Sequence, residues 1–409
     1  MRLKRVLIAA LLALLGLASA VGIAVHRAGG TFAVALPAAA IGDEPGDLVA
    51  AERIGKYPAF VAQYFLDSVA LPEALEVTHG IALYRVRYHT TNFDGSVVVA
   101  SGLVALPNKR ELNSVVSYFH GTNAQRHTAP SQSGLGEGLL VAAATAGLGH
   151  ILVAPDYIGL GESRDLHPYL HAKTTTATCI DLLRAARTLV DHLRGVWPTS
   201  LYLVGFSQGG HATFAVQREL ESQPEPPFQV KATAAIAGPF HLLEVSFPQA
   251  LTGETDSHEF YLAYIANAYA HIYQHPLELI VAAPYAEKVP VLFDGDHETE
   301  EIAANLPDDP RDLFTSDFLK AYDAGKPHWF LEAFAENSVD DWTPSAPVRI
   351  YYGENDVDVL PEEALRAEAK MRERGADIEA ISVGAFDHNT SVLHAIPKAL
   401  RWFAELENE

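Results

Sequence analysis

Three residues of this sequence have the types that nucleophilic catalysis needs: Ser207, Asp356 and His388. Ser207 stands between Gly205 and Gly209 in "YLVGFSQGGHATFAV", residues 202–216, where an apolar run gives way to a small-residue stretch. "LYLVG" reads as a buried strand and "QGGHATFAVQREL" as the start of a helix, so Ser207 is expected at a sharp strand-to-helix turn. Glycine is needed at 205 and 209 because a side chain at either would collide with the neighbouring strand or helix. Such a turn raises the hydroxyl above the sheet, at the positive end of a helix, where developing negative charge is favoured.

A serine hydroxyl is a poor nucleophile until a base accepts its proton and a third group orients that base. Downstream, "RIYYGENDVDVLP" places Asp356 in the loop after an apolar strand, and "ISVGAFDHNTSVL" does the same for His388. Asp358, two residues on, is the alternative acid; Asp356 is preferred by analogy, from its place three residues after Gly353. The oxyanion of an acyl-transfer intermediate needs two N–H donors. One is assigned to the Gln208 backbone and the other to the Thr122 backbone, in the loop that ends "VVSYFHGTNAQ". His120 and Gly121 would shape that turn, and a purely structural turn is the other reading.

These residues need a scaffold that brings strand ends together. From Ala82, two β-rich runs flank Asn92-Phe93-Asp94-Gly95, a hairpin signal, so the domain is expected to open antiparallel. Then "SVVSYFHG", "ILVAPDYIG", "SLYLVGFS", "KATAAIAG", "VRIYYGEN" and "IEAISVGA" alternate with helical patterns. That order implies an α/β fold with a mostly parallel sheet covered on both faces, whose active site forms at the carboxyl ends of strands. The alternation breaks between Pro239 and about Ala346, where Pro-punctuated, aromatic-rich helical pieces point to an inserted cap. The expected organisation is a leader and linker over 1–45, core over 46–239, cap over 240–345 and core again over 346–409.

Composition narrows the partners. The chain of 409 residues is 49% hydrophobic, enough for a sizeable core, and its net charge of −22 repels nucleic-acid phosphates. Cys179, the one cysteine, allows no internal disulfide and no Cys-based metal cluster, and its helical context reads as packing. At the start, "MRLKR" is followed by an uncharged run from Val6 to Val25 that contains Ala18-Ser19-Ala20. This reads as an export signal, with an uncleaved membrane anchor as the alternative. "DGDHETEE" at 294–301 lacks the spacing of a calcium loop, and His167 and His171 have Pro168 between them and no evident third ligand. No metal and no cofactor are expected.

Six motifs carry a resemblance: "YFHGT" (118–122), "APDYIGLGES" (154–163), "HPYL" (167–170), "GFSQGG" (205–210), "YGENDVDVLP" (352–361) and "DHN" (387–389). In order and position they resemble the α/β-hydrolase superfamily and, within it, the secretory lipase-like branch of fungal lipases and their bacterial relatives. The resemblance covers the chain from about Gly46 onward. It implies an α/β-hydrolase sheet with a cap, Ser207 as nucleophile, Asp356 as acid, His388 as base, and Thr122 and Gln208 as oxyanion donors. Two departures stand out: the near-absence of cysteine, and "GAFDHN", where many relatives have Gly directly before the histidine. Asp156 and Tyr157 read either as pocket wall or as ties that hold their loop.

In the cap, "HEFYLAYIANAYAHIY" (258–273) carries an apolar stripe that includes Tyr264 and Tyr269, either core or the wall of an acyl pocket. The expected activity is serine-dependent hydrolysis of a small-molecule or lipid carboxylic ester. A capped serine peptidase is the alternative within the fold, and would need an anchor such as Glu244, Glu254 or Glu259. Thioesters and transfer to another alcohol stay open, as does a binding protein on an inactive scaffold.

Overall fold

Ten strands form one sheet in the order β1-β2-β3-β4-β6-β5-β7-β8-β9-β10 in a computed structural model that describes residues 31–112, 114–132, 136–255 and 257–408. The strands are β1 (Phe32–Ala33), β2 (Leu48–Tyr57), β3 (Ile81–Thr91), β4 (Val97–Pro107), β5 (Val115–Phe119), β6 (Ile151–Pro155), β7 (Ser200–Phe206), β8 (Gln229–Ile236), β9 (Val348–Tyr352) and β10 (Ile378–Ser382). Strands β1 to β4 pair antiparallel, β4 pairs antiparallel with β6, and from β6 to β10 every pairing is parallel. The β3–β4 hairpin closes at Asn92 and Gly95, where Gly95 takes a φ of +84° and Asn92 N donates to Ser96 O. The export signal or anchor read from "MRLKR" and the run Val6 to Val25 lies outside the described residues. Among the described residues no helix is long and apolar enough to cross a membrane. Phe32–Ala33, in the stretch read as a linker, instead pair with Arg53 and Glu52 of β2, because an unpaired sheet edge offers free backbone groups.

Helices cover both faces, as a parallel sheet requires. On one face Ala59–Asp67, Glu137–Thr145 and His388–Glu407 pack over Val116, Val204, Ala234 and Tyr202. On the other, Ala172–Arg194 and Gln208–Ser222 bury Val104, Val115, Val153 and Leu203, with Cys179 1% exposed among them. Between β8 and β9 lie the helices Phe247–Ala250, His258–Ile272, Tyr285–Leu292, Thr299–Ala304, Ser316–Asp323 and Trp329–Asn337. Their aromatic side chains make an apolar cluster of their own, in which Phe247 meets Phe314, Phe318, Phe330 and Phe334. The acidic 294–301 loop is held by Arg126, which pairs with Asp296 at 2.5 Å and takes a backbone bond from its own amide to Gly295 O.

Buried histidines tie these layers together. His211 Nε2 donates to Asn337 O at the end of the inserted helices (2.8 Å), and His171 Nδ1 lies 2.7 Å from Thr174 Oγ1. Loss of solvent pushes His167, His171 and His211 each down from 6.5 to about 4, so all three fold as neutral rings. Below pH 6.5 the unfolded chain takes up protons that the folded chain refuses until about pH 4. Stability contributed by these groups is therefore complete above pH 6.5 and is lost as pH falls through that window. In His211→Gln, which keeps a donor for Asn337, the loss of unfolding free energy between pH 7 and pH 5 should shrink by about 2 kcal/mol. Urea titrations at the two pH values measure it, and equal losses in both proteins would refute the assignment.

Candidate active site

Ser207 is made prominent by its backbone. It joins β7 directly to the helix Gln208–Ser222 with φ +55° and ψ −116°, a strained conformation for a side-chain-bearing residue. Close packing forces the turn: a Cβ on Gly205 would lie 2.2 Å from Gly209 O, and one on Gly209 would lie 1.9 Å from Phe119 O. Both glycines are thus required by backbone-to-backbone approach, and the second sets the helix start against the end of β5. The loop that leaves β5, His120 to Thr122, is in consequence brought beside Ser207, and Gly121, Thr122 and Ser207 line the same cavity.

Ser207 Oγ lies 2.9 Å from His388 Nε2, and His388 Nδ1 lies 2.7 Å from Asp356 Oδ2. All three are buried, at 7%, 4% and 1% exposure, so water scarcely competes for these bonds. A carboxylate only accepts, so Nδ1 carries the proton of the neutral ring and Nε2 is left to accept from the serine hydroxyl. The other oxygen of Asp356 accepts from the backbone N–H groups of Asp358 and Val359, at 3.1 and 2.9 Å. Asp358 itself faces away, accepting from Thr255 Oγ1 at 3.0 Å, so the geometry separates the two acids.

The loops that carry Asp356 and His388 are laced together. Asn355 N donates to Phe386 O, Glu354 N to Gly384 O, and Asn355 Nδ2 to Ala385 O. Gly353 permits the crossing, since a Cβ there would lie 2.3 Å from Phe386 O. His388 opens the last helix, and Asp387 caps that helix by accepting from Thr390 N at 2.8 Å. That cap accounts for an aspartate where many relatives of this kind carry glycine. The ring of Phe206 packs 4.7 Å from that of His388, which restricts the imidazole further.

Gln208 is pinned by His167, which the sequence shows in the "HPYL" motif and four residues before His171. His167 Nδ1 donates to Ile158 O at 2.7 Å, so its Nε2 accepts from Gln208 Nε2 at 2.9 Å. The neutral ring requires that direction, and the "HPYL" motif was the only signal of it. Among the described residues no group of three or more His, Cys, Asp or Glu side chains is placed to hold a metal. Asp156 serves its own loop: wholly buried, it accepts from Ser101 Oγ (2.6 Å), Ser131 N (2.8 Å) and Ser131 Oγ. Tyr157, with φ +67°, is buried beside His120.

Two cavities meet at Ser207. The larger, about 690 Å³, runs from Thr122, Ser207 and His388 between apolar side chains of Leu140, Val141, Val392, Leu393 and Ile396. The smaller, about 60 Å³, lies towards the inserted helices and includes Gln208, Leu242, Tyr261 and Asp358. Tyr261 borders both. Tyr264 and Tyr269 border neither: Tyr264 stacks on Tyr169 at 4.5 Å and donates to Asn123 O, and Tyr269 donates to Leu170 O. Their stripe is the packing face, one reason it looked apolar in sequence. Glu244, Glu254 and Glu259 are likewise absent from both walls, and Glu244 pairs with Arg366.

Comparison with known proteins agrees with this architecture. The secretory lipase family matches residues 131–408, well over half of the chain. A Legionella pneumophila protein described as a "putative hydrolase" superposes with a TM-score of 0.83 at 28% identity, covering 88% of this chain and 98% of that one. The rice cell wall degrading esterase LipA from Xanthomonas oryzae gives 0.77 at 26% identity, with 87% and 96% covered. Candida antarctica lipase A, at 15% identity and a TM-score of 0.67, covers 89% of this chain and 82% of its own and shares the fold. A search of curated protein sequences gave no match. With its mixed sheet, elbow and family match, the chain belongs to the secretory lipase family, lipase- and esterase-like hydrolases of the α/β-hydrolase fold.

Proposed function

We propose that the protein is an exported serine hydrolase that cleaves carboxylic esters through an acyl-enzyme on Ser207. The observation that carries the reading is the buried hydrogen-bonded chain from Ser207 Oγ through His388 to Asp356. As Ser207 Oγ bonds to the ester carbonyl carbon, His388 Nε2 takes its proton, and the charge gained by the ring is balanced by Asp356 beside Nδ1. The carbonyl oxygen, now negative, is received by the backbone N–H groups of Thr122 and Gln208 at the start of the elbow helix. The C–O bond breaks as His388 returns the proton to the leaving alcohol. Water then repeats the sequence on the acyl-enzyme and releases the acid.

The large apolar cavity suits the acyl chain, and its size is that of an ordinary small-molecule site. The segment 240–345 acts as the cap, and the smaller cavity beneath it receives the alcohol portion. The secretory family supports export.

Hydrolysis of nitrophenyl esters of increasing acyl length tests both parts. Ser207→Ala should lower kcat/KM by at least about 10⁴-fold and abolish labelling by a serine-directed phosphonate. Asp356→Asn should cost about 10⁴-fold in kcat, while Asp358→Asn should stay within a few-fold of the parent. Full ester turnover by Ser207→Ala would sink the reading. Separately, Val141→Phe narrows the large cavity, so the preferred acyl length should shorten with little change on the shortest ester. An unmoved optimum would show that the acyl chain lies elsewhere.

A further inference from the structure

Far from Ser207, the sheet carries a second cavity with an opposite electrostatic character. β4 runs antiparallel to β6, so its end at Pro107 lies at the end of the sheet away from the elbow. There a cavity of about 370 Å³ is lined by Arg53, Lys56, Arg194, Asn108 and Tyr84, and by no carboxylate. In a chain with 51 acidic against 29 basic side chains, three cations around one hollow without an acid is an unusual local balance. Among the described residues, none of the three cations pairs with a carboxylate. Screening limits the repulsion from the remaining net charge to about 10 Å at ordinary salt, so the local cluster governs what enters.

The grouping depends on a deliberate backbone irregularity. Arg53 and Lys56 are three residues apart, a spacing that puts side chains on opposite faces of a regular strand. The register with β3 shifts between them, from Arg53 opposite Tyr84 to Gly55 opposite Leu83, so Ile54 is an extra residue. This bulge turns Ile54 into the core, at 5% exposure, and returns Lys56 to the side of Arg53. The Arg53 guanidinium is held over the ring of Phe32, 4.8 Å from its centroid, and its Nε is buried without a hydrogen-bond partner. Arg194, at the end of its helix, donates to Pro107 O at 3.2 Å, which holds its guanidinium at the end of β4. A neighbouring opening shares Arg194 and Asn108 and adds Lys109 and Arg110.

We propose that this pocket binds a phosphate group, with Arg53, Lys56 and Arg194 as its cationic ligands. A doubly charged tetrahedral anion suits three cations, and guanidinium groups offer it paired N–H donors. Two sources present that chemistry: free phosphate compounds, and the headgroup of a phospholipid.

The test is calorimetric titration of the full chain at constant ionic strength. One ligand is inorganic phosphate, and the other is an ether-linked dihexyl phosphatidic acid below its micelle concentration, which carries no carboxylic ester to be cleaved. Saturable binding should weaken about ten-fold or more in Lys56→Gln and in Arg194→Gln, and not in the remote surface control Lys320→Gln. Lys56 is exposed, so its substitution leaves the fold intact, and ester hydrolysis should stay at the parental rate. Tighter binding of the lipid than of phosphate identifies the headgroup as the source, and equal or weaker binding identifies free phosphate. No saturable binding of either ligand, or binding that Lys56→Gln and Arg194→Gln leave unchanged, would overturn the proposal.

Discussion

The approach of two backbones at Gly209 governs the arrangement of the site. The α-carbon of Gly209 sits so near the carbonyl of Phe119 that no side chain fits between them. Because of that contact the elbow helix begins hard against the end of β5, and the loop leaving β5 has nowhere to go but alongside Ser207. The strain in the Ser207 backbone follows from the same constraint, since a strand that turns into a helix within one residue must pass through a sparsely populated conformation. Sheet pairing on both flanks, β5 and β8 against β7, holds that conformation in place.

A second set of contacts brings Asp356 and His388 in from the other side. The loops after β9 and β10 cross at Gly353 and exchange backbone hydrogen bonds, so Asp356 and His388 are positioned as one unit. Burial then sharpens their interaction: with little water present, the carboxylate and the imidazole interact in a medium of lower dielectric than bulk solvent. The same dryness holds His167 neutral, and only the neutral ring, donating through Nδ1, can accept from Gln208 and fix the residue next to Ser207. Packing and proton chemistry are therefore one problem here.

The two ends of the sheet divide the labour of recognition. At the carboxyl ends of the parallel strands, apolar helices wall a large cavity beside the hydrogen-bonded chain of Ser207, His388 and Asp356. At the far end, the bulged strand β2 gathers cations in a chain that is otherwise strongly acidic. Separation by the length of the helix Ala172–Arg194, about 34 Å, leaves each end free to meet different chemistry.

Much of this was legible in the sequence because local rules govern it. The glycines around Ser207, the apolar strand runs and the hairpin at Asn92–Gly95 follow from short-range sterics and period, and the order Ser, Asp, His was legible only as a resemblance. The face of the 258–273 stripe was legible too, although not its partners: Tyr264 and Tyr269 turn into packing while Tyr261 reaches the cavities, a choice made by the neighbouring aromatic rings. Asp356 over Asp358, the clamp of His167 on Gln208, the pairing of Phe32 with Arg53 and the bulge at Ile54 were decided by tertiary structure. Each joins residues distant in the chain or depends on the register between two strands, and neither distance in space nor register is set by the residues of one segment alone. Sequence determined which groups could react and what elements would carry them; only the folded contacts decided which of those groups meet.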